Sequence, residues 1–252
     1  MNLKDKNVVV TGGSRGLSLG LVEAQVAHGA RVTVVARGAE AMESVRARLE
    51  VATICADVTH EAAAHHILAE VRPDILVLNA GATPRMGPLD QLSWADFSAN
   101  WETDVKAGLY WVQAALNLSP KPGSRVLLGS SGAAQNGSPL SGGYAGAKRM
   151  LWFMAKFANV ISGQKDLRIR VLAIVPQQMI GDIGVGDAAS GAYVSAMGIK
   201  PEELLARFGA SMLPRDFGDK VVSVLEDQRY DKSLALGLKG GTGVTILEGA
   251  AA

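Results

Sequence analysis

The sequence predicts an α/β fold, a doubly wound seven-stranded parallel sheet with helices on both faces, in a single domain. Three observations carry the prediction. Short apolar or β-branched runs alternate with helical stretches from Asn7 to Pro176, the pattern of a parallel sheet covered on both sides. The first such run leads at once into a glycine-rich turn and a helix, the local order that gives a glycine loop its meaning. At 252 residues the chain is long enough for one well-buried α/β domain and needs no second.

Asn7 to Val10 is β-branched and reads as the first strand, Thr11-Gly12-Gly13-Ser14-Arg15-Gly16 as its turn, and Leu17 to His28, stopped by Gly29, as the first helix. Arg31 to Ala36 is the second strand, Glu40 to Leu49 a helix, Ala52 to Ala56 the third strand and Glu61 to Val71 a helix. Asp74 to Asn79 is a nearly pure apolar strand ending in Asn79-Ala80-Gly81; Ala95 to Leu118 is long enough for a major helix, and Ser124 to Gly129 is the fifth strand. A helix from Tyr144 to Ile161 precedes the sixth strand, Arg168 to Val175, which Pro176 ends. From Gln177 to Pro214 the pattern loosens, with one helix start at Lys200-Pro201-Glu202-Glu203. So long an irregular excursion in a compact domain is usually a functional lid. Asp216 to Asp227 reads as the last helix and Val244 to Leu247 as the seventh strand.

Composition narrows the partner to a small molecule. The chain has 25 Lys plus Arg against 24 Asp plus Glu, which leaves no basic field for nucleic acid. No run reaches the ~18 apolar residues of a membrane span, and Met1 to Lys6 has no apolar signal core, so a soluble, cytoplasmic protein is expected. Cys55 is the single cysteine, and its neighbours predict a buried strand residue. His60, His65 and His66 lie in a polar helical stretch without a flanking ligand motif, so no metal site is expected and a solvated face is.

The chemistry gathers between Ser130 and Lys148. Tyr144 and Lys148 are four apart, a spacing that stacks them on one helix face, so that an ammonium sits beside a phenol and favours its ionised form. Ser131 stands at the end of the preceding apolar run, where a loop brings its hydroxyl back toward the same point. Upstream, the turn at Gly12 and Gly16 opens the first helix, whose unpaired N–H groups and positive dipole end suit a pyrophosphate. The second strand ends in Ala36-Arg37, without an acidic residue, where Asp or Glu would take a ribose 2′-hydroxyl and repel a 2′-phosphate. With Arg15 in the glycine turn, two cations and no anion point to NADP.

The ordered set Thr11-Gly12-x-x-x-Gly16-Leu17, Asp57-Val58, Asn79-Ala80-Gly81, Ser131 and Tyr144-x-x-x-Lys148 resembles the short-chain dehydrogenase/reductase family along the whole chain. The resemblance implies a Rossmann fold with NADP(H) held by Gly12, Ser14, Arg15, Gly16, Leu17, Arg37, Asp57, Val58, Asn79, Ala80, Gly81, Tyr144, Lys148, Pro176 and Met179. It further implies that Asp57 and Val58 meet the adenine, that Ser131 polarises a carbonyl, that Tyr144 transfers a proton, and that Lys148 holds the nicotinamide ribose and lowers the tyrosine pKa. Homodimers or homotetramers built on the long helices are implied too, with Trp111, Trp152 and Phe153 as interface anchors or ordinary core.

Three positions depart from the family pattern. Ser18 replaces the third glycine of the turn. Asp104 replaces the asparagine of the family's catalytic set, bringing a carboxylate toward Lys148 that favours the protonated phenol. Pro176 is followed by Gln177 rather than glycine, and Gly181 stands where a threonine is usual. The reading is reversible NADP(H)-dependent carbonyl reduction or alcohol oxidation. Two others fit the same fold: a non-catalytic NADP-sensing or scaffold protein, told apart by turnover, and a lyase or dehalogenase, against which Gly12, Gly16 and Lys148 argue. Pocket walls are expected from Pro84 to Met86, Gly132 to Leu140 and Met179 to Tyr193, which favours a hydrophobic ketone or ring carbonyl, with Arg85 as an anchor for an acid group.

Overall fold

The computed structural model describes residues 1–118, 121–178, 184–208, 211–241 and 243–249. One sheet runs through the molecule in the order β3-β2-β1-β4-β5-β6-β7-β8. Its strands are β1 (Asn7–Thr11), β2 (Arg31–Ala36), β3 (Ala52–Cys55), β4 (Ile75–Leu78), β5 (Arg125–Gly129), β6 (Arg170–Pro176), β7 (Ser233–Lys239) and β8 (Gly243–Gly249). The first seven are parallel and β8 is antiparallel to β7.

The expected seven-stranded parallel sheet therefore gains a strand. Val244 to Leu247, expected as the seventh, lies in the eighth, and the parallel seventh is Ser-Leu-Ala-Leu-Gly-Leu-Lys from Ser233. That run contains no β-branched or aromatic residue, the types whose packing marks a strand in sequence. Its first six residues are buried, so tertiary burial decides it.

Helices α1 (Gly16–Ala27), α2 (Ala39–Leu49) and α10 (Pro214–Glu226) cover one face of the sheet. On the other face lie α3 (Glu61–Val71), α5 (Lys106–Asn117) and α7 (Gly142–Gln164). α1 and α10 cross at glycines. A Cβ on Gly20 would lie 2.1 Å from the Pro214 carbonyl oxygen, and one on Gly218 2.3 Å from the carbonyl oxygen of Gly20.

The helix expected over Ala95 to Leu118 is not uniform: α4 (Trp94–Asn100) passes through a π-helical turn, Trp101–Val105, into α5. A π turn inserts an extra residue and re-aims the side chains around it. Between Gln177 and Pro214 the described residues form α8 (Gly184–Met197) and α9 (Pro201–Phe208), more regular than the loose excursion expected; a short α6 (Ala133–Asn136) follows β5. Cys55, expected buried, is exposed at the end of β3, its thiol donating to the Arg37 carbonyl at 3.2 Å. His60, His65 and His66 are exposed. Among the described residues no helix is long and apolar enough to cross a membrane.

Candidate active site

Strand order reverses between β1 and β4, the switch point at which open α/β sheets bind ligands beyond the carboxyl ends of their strands. A cleft of about 760 Å³ opens there. The Thr11 hydroxyl ties its walls together: it donates to the Val77 carbonyl at 3.3 Å and accepts the N–H groups of Asn79 at 3.0 Å and Ala80 at 3.2 Å. The turn at Gly12 is left-handed, with φ 72°, and a Cβ there would meet the Ala80 Cα at 2.8 Å. Only glycine lets the two walls approach so closely.

Of the residues the sequence singled out, Gly12, Ser14, Arg15, Gly16, Leu17, Arg37, Asp57, Val58, Asn79, Ala80, Gly81, Asp104, Ser131, Tyr144, Lys148 and Pro176 all line this cleft. Met179 and Gly181 lie outside the described residues. α1 has no side-chain cap and no acidic residue in its first turn, so its first N–H groups and dipole are left to an anion in the cleft. Ser18, at the third-glycine position, accepts the Asn79 side-chain N–H₂ at 2.7 Å.

At the β2 end, Arg37 is exposed and sits 3.7 Å from Asp57. The Thr59 backbone N–H and hydroxyl, at 2.9 and 2.8 Å, hold the Asp57 carboxyl below its usual range, and Arg37 adds to the effect. At the β5 end, Tyr144 and Lys148 are buried on α7 and Ser131 is half-buried past Gly129. The Lys148 ammonium donates to the Gly129 carbonyl at 3.1 Å and pairs with Asp104 at 3.1 Å. Burial is the largest influence on this ammonium and pushes its pKa down. The charges of Asp104 and of an ionised Tyr144, with the hydrogen bond to Asp104, push it up, and the net direction is up.

α7 can hold Lys148 against the π turn because Gly143 lets it close on α4. A Cβ on Gly143 would lie 1.8 Å from the Phe97 carbonyl oxygen, and the Trp101 indole donates to the Gly143 carbonyl at 3.1 Å. Sequence reasoning missed Asn100, a buried residue whose amide donates to Asp104 at 3.3 Å. Its spacing, four before Asp104, is the signal that would have found it.

Past β6, Gln177 donates its amide to the Gln135 side chain at 2.8 Å, and its own oxygen fills the space beside Gly237, where a Cβ would lie 2.5 Å away. Gln178 accepts the Gly240 N–H. The outer cleft contains Met86, Asn136, Ser138, Gln177, Gln178 and Tyr193, more polar than expected. Arg85 does not line it; it is exposed and 3.9 Å from Asp96.

Strand order, glycine turn and cleft define a Rossmann-type α/β protein. The family model described as short chain dehydrogenase matches residues 6–184, and the chain belongs to that oxidoreductase family, whose members use nicotinamide cofactors. Cis-1,2-dihydrobenzene-1,2-diol dehydrogenase of Pseudomonas putida is 31% identical over 198 residues, covering 72% of this chain and 69% of that one. A short chain dehydrogenase/reductase of Aspergillus aculeatus is 34% identical over 152 residues, 57% of this chain and 54% of the relative, so the match spans about half of that protein's length. A solved short chain dehydrogenase from Burkholderia cenocepacia in complex with NADP shares 26% identity with a TM-score of 0.78, covering 96% and 99% of the two chains. Levodione reductase superposes with a TM-score of 0.79 at 21% identity, over 94% of this chain and 97% of that one, a likeness of fold.

Proposed function

We propose that this protein interconverts a carbonyl compound and its alcohol with NADP(H). The observation that carries the reading is one cleft lined both by the glycine turn that opens α1 and by Ser131, Tyr144 and Lys148. A bound nicotinamide supplies or accepts the hydride. Ser131 holds the substrate oxygen by hydrogen bond as negative charge develops on it. Tyr144 gives or takes the proton at that oxygen. Lys148, anchored by the Gly129 carbonyl, orients the ribose and sets the charge beside the phenol. Asp57 and Val58 border the adenosine, and Asn79, Ala80, Gly81 and Pro176 wall the cleft. By the family resemblance, the backbone of Met179 would reach the cofactor amide.

NADP over NAD is supported by Arg15 and Arg37, which line the cleft without an acidic residue at the end of β2. The dehydrogenase solved with NADP is in keeping with this. A 2′-phosphate carries close to two negative charges, and each charge-assisted hydrogen bond contributes about 1.5–3 kcal/mol. Discounted for the exposure of both arginines, the two give roughly a hundredfold preference for NADPH over NADH. Dissociation constants of both nucleotides test it. Arg37→Ala is expected to remove most of the preference and Ala36→Asp to invert it, and equal affinities in the wild-type protein would refute the choice of NADP. Turnover of any carbonyl from a ketone panel, lost in Tyr144→Phe, tests the reaction and separates it from a nucleotide sensor.

A further inference from the structure

The cleft holds a buried ion pair that the proposed reaction does not require. Asp104 Oδ2 lies 3.1 Å from Lys148 Nζ, and both side chains are almost excluded from solvent. Donors surround the carboxylate. Its Oδ1 accepts the Ala82 N–H at 2.8 Å, and its Oδ2 accepts the Asn100 amide at 3.3 Å as well as Lys148. Asn100 is oriented in turn, because the same nitrogen donates to the Ala82 carbonyl at 2.9 Å. An amide at position 104 would keep the Ala82 bond only by turning an N–H₂ toward an ammonium and another N–H₂. Gly81 leaves the room, since a Cβ there would lie 2.8 Å from Asp104 Oδ2. The surroundings are built for a carboxylate.

That carboxylate changes what Lys148 offers Tyr144. An unmatched ammonium beside a phenol favours the phenolate. An ammonium matched by an anion at contact distance presents a dipole, and a phenol feels little of its net charge. The other titratable groups lining the cleft, among the described residues, are Arg15, Arg37, Asp57 and Tyr193. Tyr193 comes from α8. Arg37 and Asp57 stand beyond the ends of β2 and β3, three or more strand spacings, ~14 Å, from β5, and Arg15 lies at the β1 turn. Facing the catalytic end from β4 and from past β5 and β6 are the uncharged Asn79, Ser131, Gln177 and Gln178. Among the described residues no second cation there takes over from Lys148.

We propose that Asp104, by pairing with Lys148, keeps Tyr144 in its protonated form near neutral pH and so raises the pH at which Tyr144 can serve as the base of alcohol oxidation. In reduction the Tyr144 hydroxyl gives its proton to the carbonyl oxygen as the carbon gains a hydride from the nicotinamide. In oxidation a Tyr144 phenolate must first be present to take the alcohol proton as the carbon gives the hydride up. Asp104 touches neither substrate nor hydride here; it is a positioning residue acting through Lys148, and the inference rests on the Ser131, Tyr144 and Lys148 reading above.

Titration of tyrosinate absorbance tests it without cofactor or substrate. Wild type and Asp104→Asn are each titrated beside their Tyr144→Phe counterparts, so that the paired difference isolates Tyr144 among the 4 tyrosines. Tyr144 is expected to ionise at least about one pH unit lower in Asp104→Asn than in wild type. Asp104→Ser removes the charge with a smaller side chain and gives the same shift if the asparagine variant does not fold. Coincident midpoints in wild type and the folded variant overturn the proposal, as does a wild-type Tyr144 already ionised at neutral pH. With an alcohol that turns over, the pH profile of kcat for its oxidation is expected to move about one unit toward lower pH in Asp104→Asn; an unmoved profile counts against the proposal. Separated midpoints in a protein that turns over no carbonyl would leave the charge effect of Asp104 standing and remove the reaction instead.

Discussion

On the proposed reading Tyr144 and Lys148 differ in what they do for a bound nucleotide, and single substitutions separate them. Tyr144→Phe removes one hydroxyl, so turnover is expected to vanish while NADPH affinity stays within a few-fold. Lys148→Ala is expected to lose both, because it removes the proposed ribose donor and strands a buried Asp104 carboxylate, which costs about 3–5 kcal/mol. Isothermal titration with NADPH and a turnover assay on the two variants check this, and retained activity in Tyr144→Phe would remove the proton-donor assignment. Gly81→Ala drives a methyl against Asp104 Oδ2 and is expected to cost about 1–3 kcal/mol of stability, read from denaturant midpoints. At this scale the sequence was informative wherever a residue type and a spacing coincide, as for Tyr144 with Lys148 or Gly12 with Gly16. It was silent on pairing. Nothing in the residue order says that Arg37 leans on Asp57 or that Ser18 turns its hydroxyl to Asn79; the approach of Asp104 to Lys148 was expected only through the family resemblance.

Among the elements, the crossing of α1 and α10 is tightly determined, since two glycines bring one backbone against the other. Gly20→Ala places a methyl 2.1 Å from the Pro214 carbonyl oxygen, an overlap that no rotamer relieves. The expected loss is about 3 kcal/mol or more, at the upper end for an overpacked site, with a lower melting temperature and activity intact below it. Gly218→Ala should behave alike, and a wild-type melting temperature in both would mean that the helices slide apart at little cost. Strands and helices from Asn7 to Pro176 were legible because parallel strands are apolar on both faces and their helices amphipathic. β7 was not, because leucine, alanine and glycine carry no strand signature, and neither was the π turn, whose residues Trp101 and Asp104 are held by partners remote in sequence, Gly143 and Ala82 among them.

For the whole molecule, the outward face of α7 is the feature that bears on assembly. Phe153, Phe157, Val160 and Ile161 lie at helical spacing, and the two phenyl rings stack with centroids 6.0 Å apart; all four, with Leu109 of α5, are exposed. An apolar stripe of this kind suits an interaction surface, and the dimer proposed here is one formed through α5 and α7. Trp111 and Trp152, the other candidate anchors, are buried in the core instead. Phe157→Glu with Val160→Lys is expected to yield a monomer in light scattering, and a wild-type protein monomeric at all concentrations would rule the interface out.

The Thr11 hydroxyl, with three hydrogen bonds across the seam of the sheet, has a bearing beyond the cleft. Among the described residues it is the side chain that joins β1 to the β4 turn through an oxygen shared by two amides, beside the backbone ladder that pairs β1 with β4. Thr11→Val keeps the shape and leaves the Asn79 and Ala80 N–H groups without their acceptor, each at about 1–3 kcal/mol. The cost falls on the seam, so calorimetry should record one transition displaced to lower temperature, while amide exchange quickens on both flanks of the cleft together. A nucleotide gripping either flank would then slow exchange on the other, like a hand closing one half of a hinged book.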